Sequence, residues 1–207
     1  MSEIKRFNPD LDRTRQERIR YFVELFQRGL KNEKIIAYHG TSIEVVKDII
    51  DTGKIMGGFG GHKPEEVSVL PPQISIFLKD PKINPSNFVE ESEKADEKLY
   101  ARTIAEDHGM ATVIGVDFRP RELPEPMSRK IVNNARWAVR KRKGVILGFD
   151  KKILDDFQQR SPDEQGERGE VIIECPNGID YKYIVGLEAQ GQYERDYFMN
   201  LYKSVNA

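Results

Sequence analysis

"KIIAYHGTSIEVVKDIIDTGKI", residues 34 to 55, joins a short apolar, β-branched run to an amphipathic one, with His39 and Gly40 at the junction. Lys34 to Tyr38 is too short for a helix and reads as a buried strand. Thr41 followed three residues later by Glu44 fits a capping box. Val45, Val46, Ile49 and Ile50 then form the apolar face of a helix that Gly53 ends in left-handed geometry. His39 and Gly40 thereby fall in a strand-to-helix turn, where a glycine admits close approach to the backbone and a helix N-terminus offers free N–H groups. The Walker A pattern is absent. Locally, the pair is either a solvent-facing turn or part of a site.

Outward from this stretch, helices and strands occur in similar number. Leu11 to Leu30 is amphipathic: Ile19, Phe22, Val23, Phe26 and Leu30 recur at helical spacing, with Arg13, Arg15, Arg18 and Arg20 elsewhere on the wheel. Further strands are expected at 74–78, 111–118, 145–149, 170–175 and 181–188, and further helices near 91–108, 127–142, 151–158 and 190–204. Strands crowd the second half, so the order is not a regular alternation and the fold class is α+β. The whole chain, 1–207, reads as one domain with the N-terminal helix (about 11–30) and the C-terminal helix (about 190–204) packed on the core. Residues 57–73 and 158–169 are long irregular stretches rich in Gly, Pro and charge, of the kind that carries function.

Composition narrows the chemistry. A net charge of −1 gives no global attraction to nucleic acid or membrane. One cysteine excludes an internal disulfide framework, and with three histidines the usual Cys/His zinc spacing is not met, so no metal is expected. No stretch has the length to span a bilayer and the N-terminus has no apolar signal core, so a cytoplasmic protein without membrane association is expected.

The succession of "YHGTS" (38–42), a helix ending in "IIDTG", then "ISIFLKD" (74–80), "LYA" (99–101) inside a helix, and a late strand opening with Glu170 resembles the ADP-ribosyltransferase superfamily. It is most similar to the histidine-type branch shared by diphtheria-like toxins and poly-ADP-ribose polymerases. The resemblance implies a split β-sheet core with flanking helices and NAD as substrate, without a metal. It implies that His39 hydrogen-bonds a ribose of NAD, that Gly40, within the same motif as Thr41, holds the nicotinamide amide through its backbone, that Tyr100 stacks on nicotinamide, and that Glu170 is the catalytic glutamate. The middle aromatic position departs from the pattern: Phe77 stands where the branch has tyrosine. Ser75, two residues earlier, is expected to share its side of the strand and to supply the polar contact.

The chemistry asks for the same residue types. Breaking the nicotinamide glycosidic bond develops positive charge on the ribose, which a fixed carboxylate stabilises more in the transition state than in the ground state. Each residue also has a structural reading: Glu170 as an edge-strand charge, Tyr100 as helix core. Glu174 and Glu188 are rival acids. Arg168, two positions before Glu170, replaces the second glutamate of arginine modifiers and argues against an arginine acceptor.

Residues 129–143, "RKIVNNARWAVRKRK", hold seven basic residues and no acidic one. Arg136, Trp137, Arg140 and Lys141 on one arc form either a base-stacking, phosphate-tracking face or a solvated helix face. The expectation is a toxin-like mono-ADP-ribosyltransferase with RNA or DNA favoured over protein as acceptor, of the kind found in toxin-antitoxin and phage-defence systems. An antitoxin or chaperone is its expected partner, with the acidic run 90–97 as one recognition mark. The alternatives are a non-catalytic nucleotide- or nucleic-acid-binding module and an NAD glycohydrolase.

Overall fold

The computed structural model describes residues 9–59, 72–79, 97–114, 142–160 and 169–206. The amphipathic N-terminal pattern forms α1 (Pro9–Arg28), and β1 (Ile35–Thr41), α2 (Ile43–Thr52) and the short strands β2 (Lys54–Ile55) and β3 (Gly58–Phe59) follow. Next come β4 (Pro72–Leu78), α3 (Glu97–Ile114), β5 (Val145–Asp150), α4 (Lys152–Asp156), β6 (Gln159–Arg160) and β7 (Glu170–Glu174). The chain ends with β8 (Ile179–Asp180), a single 3-10 turn at Tyr181–Tyr183, β9 (Ile184–Ala189) and α5 (Gln192–Val205).

The main sheet runs β6-β7-β4-β1-β5-β9 with β3 paired to β4, and β2 and β8 form a separate ribbon. Every pairing is antiparallel, which with the surrounding helices makes the fold α+β. Side chains alternate across the sheet and build two cores. On one face Ala37, Ile74, Ile76, Leu147 and Phe149 meet Phe22 of α1, Ile49 of α2 and Phe198 of α5. On the other, Tyr38, Phe77 and Ile146 pack against Ala101 and Ala105 of α3.

Three expectations are corrected. Residues 38–42 do not turn after Tyr38: β1 continues through His39, Gly40 and Thr41, paired to β5 as far as Thr41↔Val145. Thr41 is therefore buried strand, and Ser42 is the cap, its hydroxyl accepting from the Val45 N–H at 3.4 Å. Glu44 is drawn to Arg142 instead of closing a capping box. Gly53 ends α2 as expected, at φ 80°.

Residues 111–114 belong to α3 and not to a strand over 111–118. β-Propensity is a weak preference that packing overrides. Arg18 is buried, and its guanidinium donates to Ile50 O and Asp51 O, satisfying carbonyls in the last turn of α2. The expected helices and strands at 127–141 and 115–118, the run 90–96, and most of the two long loops lie outside the described residues. No helix among the described residues is long and apolar enough to cross a membrane.

Candidate functional site

The site is built on an interruption of the sheet. Along β4, the Leu78 N–H donates to Gly169 O toward β7 (2.9 Å), while the Lys79 N–H donates to Ile36 O toward β1 (2.7 Å). Polar backbone groups of alternate residues thus face alternate neighbours, and Ser75 aims its carbonyl at β1. The β1–β4 register holds at Ala37↔Leu78 and Tyr38↔Phe77, whereas β1 stays paired to β5 through Thr41. Beyond Tyr38 the two strands part. There the His39 ring takes the place of a ladder bond: Nδ1 lies 2.8 Å from Ser75 O.

That contact fixes the chemistry of His39. Burial lowers its pKa to about 4, overcoming the upward pull of the Ser75 carbonyl and aided by the nearby His108. The ring is neutral at pH 7. Since a carbonyl can only accept, Nδ1 carries the proton and Nε2 is left as an acceptor.

Glu170 opens β7 after Gly169, which adopts φ 74°. It pairs with Phe77, which pairs with Tyr38. Directly opposed residues share a face, so Glu170, Phe77 and Tyr38 stand in one row on the α3 side, with Glu170 about 10 Å from β1 across two strand spacings. Glu170 is half-buried and Phe77 fully buried.

The rival acids differ in setting. Glu188 lies on β9, on the far side of β5 from β1, and is bound to Arg102 of α3 (2.6 Å) and Gln190 (3.1 Å). Glu174 stands opposite Gln73 at the far end of β7. Glu170 and Glu174 both lie one strand from β4, and Glu170 is the one opposite Phe77, the last β4 residue paired to β1.

α3 explains where the other predicted residues go. Ala101, Ala105 and Gly109 recur every four residues and let the helix settle on β1. A Cβ at Gly40 would lie 1.6 Å from Ala105 O and 2.5 Å from Gly109 N. The Gly40 glycine is thus required by helix contact, and that side of its backbone is filled by α3. Phe77 likewise packs under α3, and Thr41 is buried beside Gly109 and Gly144. Ser75 is half-buried and enters the site through its carbonyl. Phe77 is thus buried under α3, and the Cβ side of Gly40 is filled by that helix, while the backbone polar groups of Gly40 face Ser75 across the parting of β1 and β4. Tyr100 falls in the first turn of α3, where side chains are outside the described set. Arg136, Trp137, Arg140, Lys141 and Arg168 also lie outside the described residues.

The sequence reading passed over His108. It is exposed on α3, with its ring 4.8 Å from Phe77 in an edge-on contact. The signal was a second His-Gly: Gly109 of His108-Gly109 meets Gly40 of His39-Gly40 across the α3–β1 contact. Among the described residues, no group of His, Cys, Asp and Glu is arranged to hold a metal ion. No protein-family model, curated protein or solved structure matches the chain.

Proposed function

We propose that the chain is an NAD-consuming ADP-ribosyltransferase whose site is the parting of β1 and β4. The observation that carries this reading is the His39 ring standing in for a ladder bond, neutral and with Nε2 as an acceptor, two strands from a carboxylate that opens β7. A neutral acceptor suits a ribose hydroxyl, which needs orientation without added positive charge. Glu170 faces the opposite demand. As the glycosidic bond to nicotinamide lengthens, the ribose gains oxocarbenium character, and a carboxylate held beside it stabilises that charge most at the transition state. Thr41 and Phe77 serve this site indirectly, by seating α3, and Gly40 both seats α3 and turns its backbone polar groups toward the parting.

Nucleic acid is the favoured acceptor, on the strength of the basic run 129–143. Part of that run has a structural duty, because Arg142 binds Glu44. Incubation with NAD labelled on the adenine side, together with separate RNA, DNA and protein pools, tests the proposal. Label is expected in the RNA or DNA pool with nicotinamide released in equal amount. Label in the protein pool alone would overturn the acceptor, and nicotinamide release with no labelled polymer would make the protein a glycohydrolase.

A further inference from the structure

We propose that His108 is the base that takes the proton from the incoming acceptor; this rests on the transferase reading above. Three observations place it. Its ring contacts Phe77, the residue that stands between Tyr38 and Glu170 in the cross-strand row, so it lies above the row that carries the carboxylate. It is close enough to His39 for the two imidazoles to interact electrostatically. And α3 is held in one position on β1 by backbone contact, since Gly40, Gly109 and Gly144 leave no room for a Cβ or meet one another directly. Unlike His39, His108 is exposed, so an acceptor can reach it and a proton can leave it.

The two histidines then divide the work by environment. His39 is half-buried, neutral and committed through Nδ1 to Ser75 O, which suits it to hold and not to exchange protons. His108 sits at the water-facing side. In the step proposed, an acceptor hydroxyl or amine attacks C1 of the nicotinamide ribose, the C1–N bond breaks with its electron pair going to the nicotinamide nitrogen, and the acceptor proton passes to the His108 imidazole and on to solvent. Glu170 stabilises the ribose charge throughout and takes no proton. No oxidant, reductant or further reactant is needed.

The test compares nucleophiles that differ in whether they carry a proton to lose. Nicotinamide release and the ribosyl product are followed with NAD in the presence of methanol or of azide, for wild type and His108→Asn. Methanol must lose a proton on attack and azide has none. The proposal expects His108→Asn to lose about 100-fold or more in methanolysis and hydrolysis while azide transfer is retained. It further expects added imidazole to restore methanolysis in His108→Ala. Equal loss with methanol and azide would show a structural role and overturn it, as would methanolysis at the wild-type rate in His108→Asn. Wild type that releases no nicotinamide with any nucleophile would instead overturn the transferase reading itself.

Discussion

His39 shows how one side chain can alter a sheet. The ring occupies the gap that a Gly40–Ser75 ladder bond would otherwise close, and burial keeps it neutral. This has a pH consequence whose sign is fixed. The folded pKa, about 4, is below the unfolded value of about 6.5, so the native state resists protonation that the unfolded chain accepts. The neutral ring's contribution is fully present above about pH 6.5 and is lost as pH falls toward 4, by at most about 3 kcal/mol. Urea unfolding at pH 7, 5.5 and 4.5 should show this decline in wild type. It should be smaller in His39→Asn, whose amide N–H can replace the Nδ1 donor to Ser75 O. Equal decline in both proteins would contradict a neutral His39 held on Ser75 O.

Much of this residue-level detail was hidden in the sequence. Gly53 was legible because a helix cap is a local event: a left-handed residue at the end of an apolar periodic run. Thr41 and Ser42 were not separable, since both are capping residues. What decides between them is that Thr41 is still paired to Val145, some hundred residues away along the chain. The histidine motif was visible, but its turn reading failed for the same non-local reason.

At the level of elements, α3 is the piece that the sequence read least well and the site depends on most. Its small-residue stripe was concealed within a segment whose C-terminal part, "ATVI", has strand-like composition. Only contact with β1 makes sense of it. Gly40→Ala would drive a Cβ into Ala105 O and Gly109 N, which are backbone atoms that cannot rotate away. We expect a loss of about 3 kcal/mol, at the upper end of overpacking costs. Loss of hydrogen-exchange protection should be concentrated in α3. Unchanged stability with α3 still protected would show that the helix is not seated on Gly40. The sheet itself was largely anticipated: strands at 74–78, 145–149 and 170–175 appear within a few residues, because alternating or continuous apolar runs bounded by turn residues are local signals.

Across the whole molecule, one ionic cluster ties distant segments together. Arg142, just before β5, binds Glu44 at the start of α2, lies 3.9 Å from the fully buried carboxylate of Glu194 on α5, and covers the Tyr193 ring at 4.7 Å. The Lys143 N–H also reaches Glu194 (3.3 Å). Arg142 holds Glu44 ionised: burial pushes that carboxyl up, but the guanidinium hydrogen bond and charge bring it down on balance. Arg142→Met would take the guanidinium away from the buried Glu194 carboxylate. A cost of about 3 kcal/mol is expected in urea unfolding, and a double variant with Glu194→Gln should recover part of it. Additive losses would show that Arg142 and Glu194 are not coupled. No composition rule points to this cluster, since its members are spread over residues 44 to 194 and meet only in the fold.

The proposed transferase activity requires His39 and Glu170 to act on one NAD at the parting of β1 and β4. The most direct measurement is nicotinamide release by wild type and Glu170→Gln, taken with the NAD dissociation constant of each. Wild type is expected to release nicotinamide and the variant to lose about 100-fold or more in rate, while NAD affinity changes far less, because the proposed role of the carboxylate is on charge that develops only in the transition state. Release at the wild-type rate from Glu170→Gln, or no release from either protein, would contradict it.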